Sequence, residues 1–238
     1  MMAEWLQHGP DKLVISAFRG VGKSWVTAAY TCWLLLNDPQ INIMVVSASK
    51  TRADDFSTFV LRLIHEVPVL QHLIPRDNQR SSKISFDVAP ARANQSPSVK
   101  SVGITGQLTG SRADVIIADE PTASLDPERT FGLLRLLRHI ADDGAAIMLI
   151  THDIGALMDT NVADQVSVIY ASRLVESGKA SFLLKGGAQH PYTRDLLAAL
   201  PRNGLIRMPG ILPELTNLDP DYTYTTRTMQ TGVQRCAA

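Results

Sequence analysis

The chain has 238 residues, 45% of them hydrophobic and 19% charged, enough apolar material for one domain of ordinary size and a small appendage. Lys+Arg and Asp+Glu both number 23, split almost evenly along the chain: 12 basic and 11 acidic groups to residue 120, 11 and 12 beyond it. No basic field advertises nucleic acid, and the longest apolar runs, such as Cys32 to Leu36, fall far short of the ~18 residues that a membrane-spanning helix needs.

The first residues, MMAEWLQHGPDK, hold no basic segment followed by an apolar core, so the expected compartment is the cytoplasm. Residues 12 to 17 (KLVISA) read as a buried strand, Arg19 to Gly22 as a turn, and Lys23 to about Asn37 as an apolar-rich helix. A second strand over Asn42 to Ser47 leads into an amphipathic helix, Thr51 to about Glu66, with Phe56, Phe59, Val60, Leu63 and Ile64 on one face. ISFDV (84 to 88) and SVKSVGI (98 to 104) read as two short antiparallel strands carried on the sheet. Beyond a Gly/Thr/Ser loop (103 to 111), the branched run DVIIA (114 to 118) is another central strand, closing on Asp119 and Glu120. Pro127 opens a helix that Gly144 follows, and AAIMLIT (145 to 151) is a buried strand capped by His152. QVSVIYA (165 to 171) and LVESG (174 to 178) suggest a terminal hairpin, Thr193 to Leu200 a helix, and the Pro/Thr/Asp-rich segment beyond Pro201 irregular structure. Alternating β and α segments argue for a parallel sheet. Cys32 falls in a buried helix and Cys236 in the polar tail, so the cysteines build neither a disulfide framework nor a CxxC metal knuckle.

Two segments carry phosphate chemistry. AFRGVGKS (17 to 24) resembles a Walker A loop with Ala17 in place of the first glycine. Gly20 and Gly22 let backbone N–H groups around Val21 turn inward at the start of a helix, Lys23 can reach the β- and γ-phosphates, and the Ser24 hydroxyl can ligate Mg²⁺. The plainer alternative is a Gly-rich turn before a core helix. The apolar run Val115 to Ala118 followed by Asp119 and Glu120 looks like a Walker B strand, with Asp119 on Mg²⁺ and Glu120 orienting the attacking water. Its alternative is a strand that ends in solvated acids. Both motifs in order favour a triphosphate site, for ATP rather than GTP because no NKxD-type guanine motif occurs.

The chain resembles two families that meet at this strand. Residues 11 to about 119 resemble the ATPase of the terminase large subunit of short-tailed phages, through AFRGVGKS, VVSASKTRAD (45 to 54), ISFDVAPA (84 to 91), SPSVKSVGITGQLTGSRAD (96 to 114) and VIIADE. That resemblance implies a γ-phosphate role in cis for Arg19, and a role for Arg112 toward a neighbouring subunit's ATP or DNA. It also implies double-stranded DNA and a small terminase subunit or portal as partners. Residues 115 to 213 resemble the ATP-binding subunit of oligopeptide, dipeptide or nickel ABC importers, through ADEPTASLD (118 to 126), LITHD (149 to 153) and HPYTRDLLAALP (190 to 201). This implies a subunit-interface place for Asp126, a γ-phosphate or water-ordering role for His152, membrane permease partners and a site peripheral to the inner membrane. The LSGGQ signature that an importer subunit needs before Walker B is missing: GITGQLTGS (103 to 111) lies too close to Asp119 and resembles the terminase sequence. His190 reads as structural.

The expected fold class is therefore α/β, a P-loop NTPase of the additional-strand, catalytic-Glu type with a mainly parallel central sheet flanked by helices and an irregular tail. Residues 1–185 form the expected core and 186–238 the C-terminal helix and tail. The expected activity is Mg²⁺-dependent ATP hydrolysis, with a homo-oligomer as a further expectation; the alternatives are an importer subunit and a hybrid that holds nucleotide without cycling.

Overall fold

Runs of branched apolar residues alternate with helices that have one apolar face. A computed structural model, describing residues 12–16, 23–104, 112–171, 173–210 and 223–229, joins them into one sheet. The strands are β1 (Lys12–Ser16), β2 (Ile43–Ser47), β3 (Ser85–Phe86), β4 (Val99–Gly103), β5 (Val115–Asp119), β6 (Ala146–Thr151), β7 (Gln165–Tyr170) and β8 (Arg173–Lys179). Their spatial order is β3-β4-β2-β5-β6-β1-β7-β8. All neighbours from β4 to β7 pair in parallel, and β3 and β8 close the edges antiparallel. The segments at 84–88 and 98–104 do pair antiparallel with one another, but β4 also joins β2 in parallel and so belongs to the main sheet.

Strands buried on both faces feed two cores with alternate residues. Met44, Val46, Ile116, Ala118, Ile147 and Leu149 enter one cluster with helix α3 (Pro127–Asp142). Ile43, Val45, Ile117, Met148 and Ile150 enter the other with α1 (Lys23–Asn37) and α2 (Lys50–Glu66). Helix starts follow local chemistry. The Ser49 hydroxyl accepts from the Arg52 N–H at 3.3 Å to cap α2, and the Asp126 carboxylate accepts from the Arg129 N–H at 3.0 Å to cap α3, with Pro127 at the first helical position. Pro68 stops α2, because the residue before a proline is pushed out of helical geometry. Gly103 is required where β4 passes the start of α2: a Cβ there would lie 2.8 Å from the Lys50 nitrogen. Cys32 is buried in α1, and burial pushes its thiol up to about 12, which keeps it unreactive.

A 3₁₀ helix at Pro68–Leu73 and helix α4 (Ile154–Thr160) add to the expected elements. Helix α5 (Pro191–Ala198) matches the expected C-terminal helix. Beyond Pro201 a short helix, α6 (Tyr224–Met229), adds to the expected irregular structure and packs back onto the body. A single aromatic anchor suffices without periodicity: Tyr224 is buried, its hydroxyl donates to Asp195 at 2.8 Å, and its ring lies 5.3 Å from Tyr170 and 5.2 Å from Tyr192.

His190 caps α5 through Nδ1, which accepts from the Tyr192 N–H at 3.2 Å, while the Glu176 carboxylate accepts from the backbone N–H groups of Gln189 and His190. Burial lowers the His190 pKa; Glu176 opposes that shift and Arg194 adds to it. With the folded value below the unfolded one, protons favour the unfolded chain, so this stability is present above the ordinary histidine pKa and lost as pH falls through it. Thermal melts are expected to show a lower midpoint at pH 5.5 than at pH 7.5. His190→Asn, a cap without a titrating ring, flattens that part of the profile; an unchanged slope would contradict this role.

Candidate functional site

The site is assembled by the C-terminal edge of the parallel strands, where an open α/β sheet offers its crevice. Ile150 of β6 is level with Asp119 of β5 on one side and with Ile15 of β1 on the other. Asp119 and the end of β1 are thus about 10 Å apart, two inter-strand spacings. Chain from β1 leads directly to α1, whose backbone begins at Lys23. Ala17, Arg19, Gly20, Val21 and Gly22 lie outside the described residues, as does the Lys23 side chain. Ser24 is exposed in the first turn of α1.

Immediately after Asp119 the chain leaves β5 by an abrupt bend. Glu120 has φ +44°, a left-handed conformation that costs a side-chain-bearing residue roughly 1–2 kcal/mol. The bend is held by the Glu120 N–H, which donates to the Ile150 carbonyl at 2.8 Å. It tucks the Glu120 side chain into the crevice at 8% exposure. His152, one residue past β6, is 55% exposed, and its Nδ1 lies 3.6 Å from Glu120 Oε1. Asp119, Glu120 and His152 are therefore gathered at one edge by two neighbouring strands, β5 and β6. Sequence reading passed over Ser47, whose hydroxyl donates to the Asp119 carbonyl at 3.0 Å; its signal was a hydroxyl residue closing an otherwise apolar strand.

Two further residues stand apart. Asp126 is engaged as the α3 cap and pairs with Arg129 Nε at 3.3 Å. Arg112 precedes β5, so it sits at the opposite edge of the sheet, beside Lys100 and Gln95 in a cleft of about 370 Å³. The length of β5 separates it from Glu120, and Arg112 cannot serve this chain's own crevice.

Among the described residues no group of three or more His, Cys, Asp or Glu could by itself hold a metal. The donor set of Ser24 and Asp119 instead suits Mg²⁺, which binds one or two protein oxygens and takes the rest from phosphates and water. Among the described residues no helix is long and apolar enough to cross a membrane.

A protein-family model described as terminase large subunit, T4likevirus-type, N-terminal, matches residues 14–143, more than half of the chain. The chain belongs to this terminase family. The match runs past Asp119 and Glu120 and through α3. The terminase large subunit of Enterobacteria phage T3 is 57% identical over 120 residues, which are 50% of this chain and 20% of that protein. The terminase-family chain is also 40% identical over 114 residues to the oligopeptide transport ATP-binding protein OppD of Lactococcus lactis, covering 45% of this chain and 33% of that one. It therefore spans only a fifth to a third of these two relatives. Both sequence resemblances are present in one chain. A solved ATP-binding subunit of an ABC transporter overlays it with a TM-score of 0.42 at 14% identity, covering 79% of this chain and 87% of that structure.

Proposed function

We infer that this terminase-family chain binds ATP with Mg²⁺ and hydrolyses it, as the phosphate-site part of a motor that acts on double-stranded DNA. The observation that carries the reading is the insertion of β6 between β1 and β5. It sets the strand leading to Lys23 and the strand ending in Asp119 on either side of the strand that runs into His152, which faces Glu120. The first-turn N–H groups of α1 and the Lys23 ammonium hold the β- and γ-phosphates, and Arg19 acts on the γ-phosphate from the same loop. Ser24 and Asp119 would hold Mg²⁺, which when bound would supply neutralisation of the phosphate charge. The carboxylate of Glu120, buried at the crevice, accepts a hydrogen bond from the attacking water and draws off its proton as the water oxygen bonds to the γ-phosphorus and ADP leaves. His152 fixes the Glu120 carboxylate and orders that water. Asp126 and Arg112 face neighbouring subunits in a homo-oligomer, whose other partners are a small terminase subunit or portal.

Steady-state ATP turnover, with and without double-stranded DNA, tests this. Lys23→Ala is expected to reduce turnover by about 10²-fold or more, in line with loss of a transition-state charge contact. DNA is expected to raise turnover of the unaltered chain, less so as salt increases, because phosphate contacts release counterions. Turnover that survives Lys23→Ala sinks the site assignment; turnover indifferent to DNA sinks the motor reading. The 40% identity to OppD favours a second reading, a nucleotide-binding subunit docked on a membrane permease.

A further inference from the structure

Trp25 stands in the first turn of α1, two residues after Lys23, and is 65% exposed. A large aromatic ring so open to water at the mouth of a phosphate-binding helix has no core to fill. It is not loose, however. The Phe59 ring of α2 meets it in a T-shaped contact, with centroids 4.5 Å apart and planes at 73°, so that the indole is propped on one side while most of the side chain stays exposed.

The first four N–H groups of a helix have no intrahelical acceptor, and in α1 these belong to Lys23, Ser24, Trp25 and Val26. A triphosphate seated on those donors carries its nucleoside end out past the side chains of the same turn. There Ser24 and Trp25 are exposed, Val26 is half-buried and Thr27 is buried, so Trp25 supplies the aromatic surface beside that exit. We propose that the indole of Trp25, propped by Phe59, is the stacking platform for the base of the bound nucleotide. This rests on the phosphate-site reading above and adds the base to it: the chain binds a nucleoside triphosphate rather than any polyphosphate. Stacking needs only a π face, so purine nucleotides share the platform, with no selection by hydrogen bonds implied.

Calorimetric titration of the full chain with Mg-ATP and with magnesium tripolyphosphate separates the two layers of the argument. The unaltered chain is expected to bind ATP about tenfold more tightly than tripolyphosphate, the scale of one base–aromatic contact. Trp25→Ala should erase that preference while leaving tripolyphosphate affinity within about twofold, and Trp25→Phe should keep most of it. Circular dichroism checks that the variants fold. Equal affinity of the unaltered chain for both ligands, or a preference that survives Trp25→Ala, overturns the platform and leaves the phosphate site standing. No binding of either ligand overturns both. A preference unchanged in Trp25→Ala together with an altered sedimentation coefficient would mark Trp25 as a subunit contact instead, which also overturns the proposal.

Discussion

Glu120→Gln is expected to lower ATP turnover by about 10²- to 10⁴-fold, the range for removing a positioned general base, while nucleotide affinity stays within a few-fold. The substitution keeps side-chain length and the φ of +44° already present, so the bend into the crevice persists. What disappears is the carboxylate that faces His152 Nδ1 at 3.6 Å and that the proposed mechanism uses to draw a proton from water. Phosphate release and calorimetry on the same preparation read the two quantities separately. Turnover within threefold of the unaltered chain would remove Glu120 from the mechanism. The same variant distinguishes the two machines. The LSGGQ signature of importer subunits is missing from the sequence, so no ATP-dependent dimer is expected, and a dimer seen by sedimentation would shift the weight to the permease-docked reading.

Ile150→Ala is expected to cost about 2–5 kcal/mol of stability, because it deletes a fully buried side chain in a strand with neighbours on both sides. For a chain of this size that corresponds to roughly 5–20 °C in the unfolding midpoint. Its effect should extend to the site, since Ile150 sets the level of Asp119 against Ile15 and its carbonyl holds the Glu120 N–H. Val69→Ala, at an exposed position, should move the midpoint by about 2 °C or less. Equal melting of the two variants would show that the β6 core does not bear on stability as its burial implies.

Much of this arrangement was readable before any coordinates. The strand runs Ile43–Ser47, Val115–Asp119 and Ala146–Thr151 are continuous apolar stretches, and Phe56, Val60 and Ile64 repeat at helical spacing. Ser49, Asp126 and Pro127 mark helix starts with side-chain chemistry that acts within a few residues. The candidate site is legible for the same reason: Lys23, Ser24, Asp119 and Glu120 sit in short motifs whose proposed phosphate chemistry depends on local spacing.

Local pattern could not rank the strands side by side, because every strand buried on both faces reads as a similar apolar run. Only tertiary pairing put β6 between β1 and β5, brought His152 to Glu120 and sent Arg112 to the far edge. The left-handed bend at Glu120 is likewise held by a carbonyl 30 positions away in the chain, at Ile150. Tyr224 reached Asp195 through one ring and one hydroxyl, leaving no periodic trace. Amino-acid order determined which segments become strands and helices, since those follow from neighbours a few residues apart. The three-dimensional fold decided which of them meet, since that depends on burial and hydrogen bonds between residues far apart along the chain.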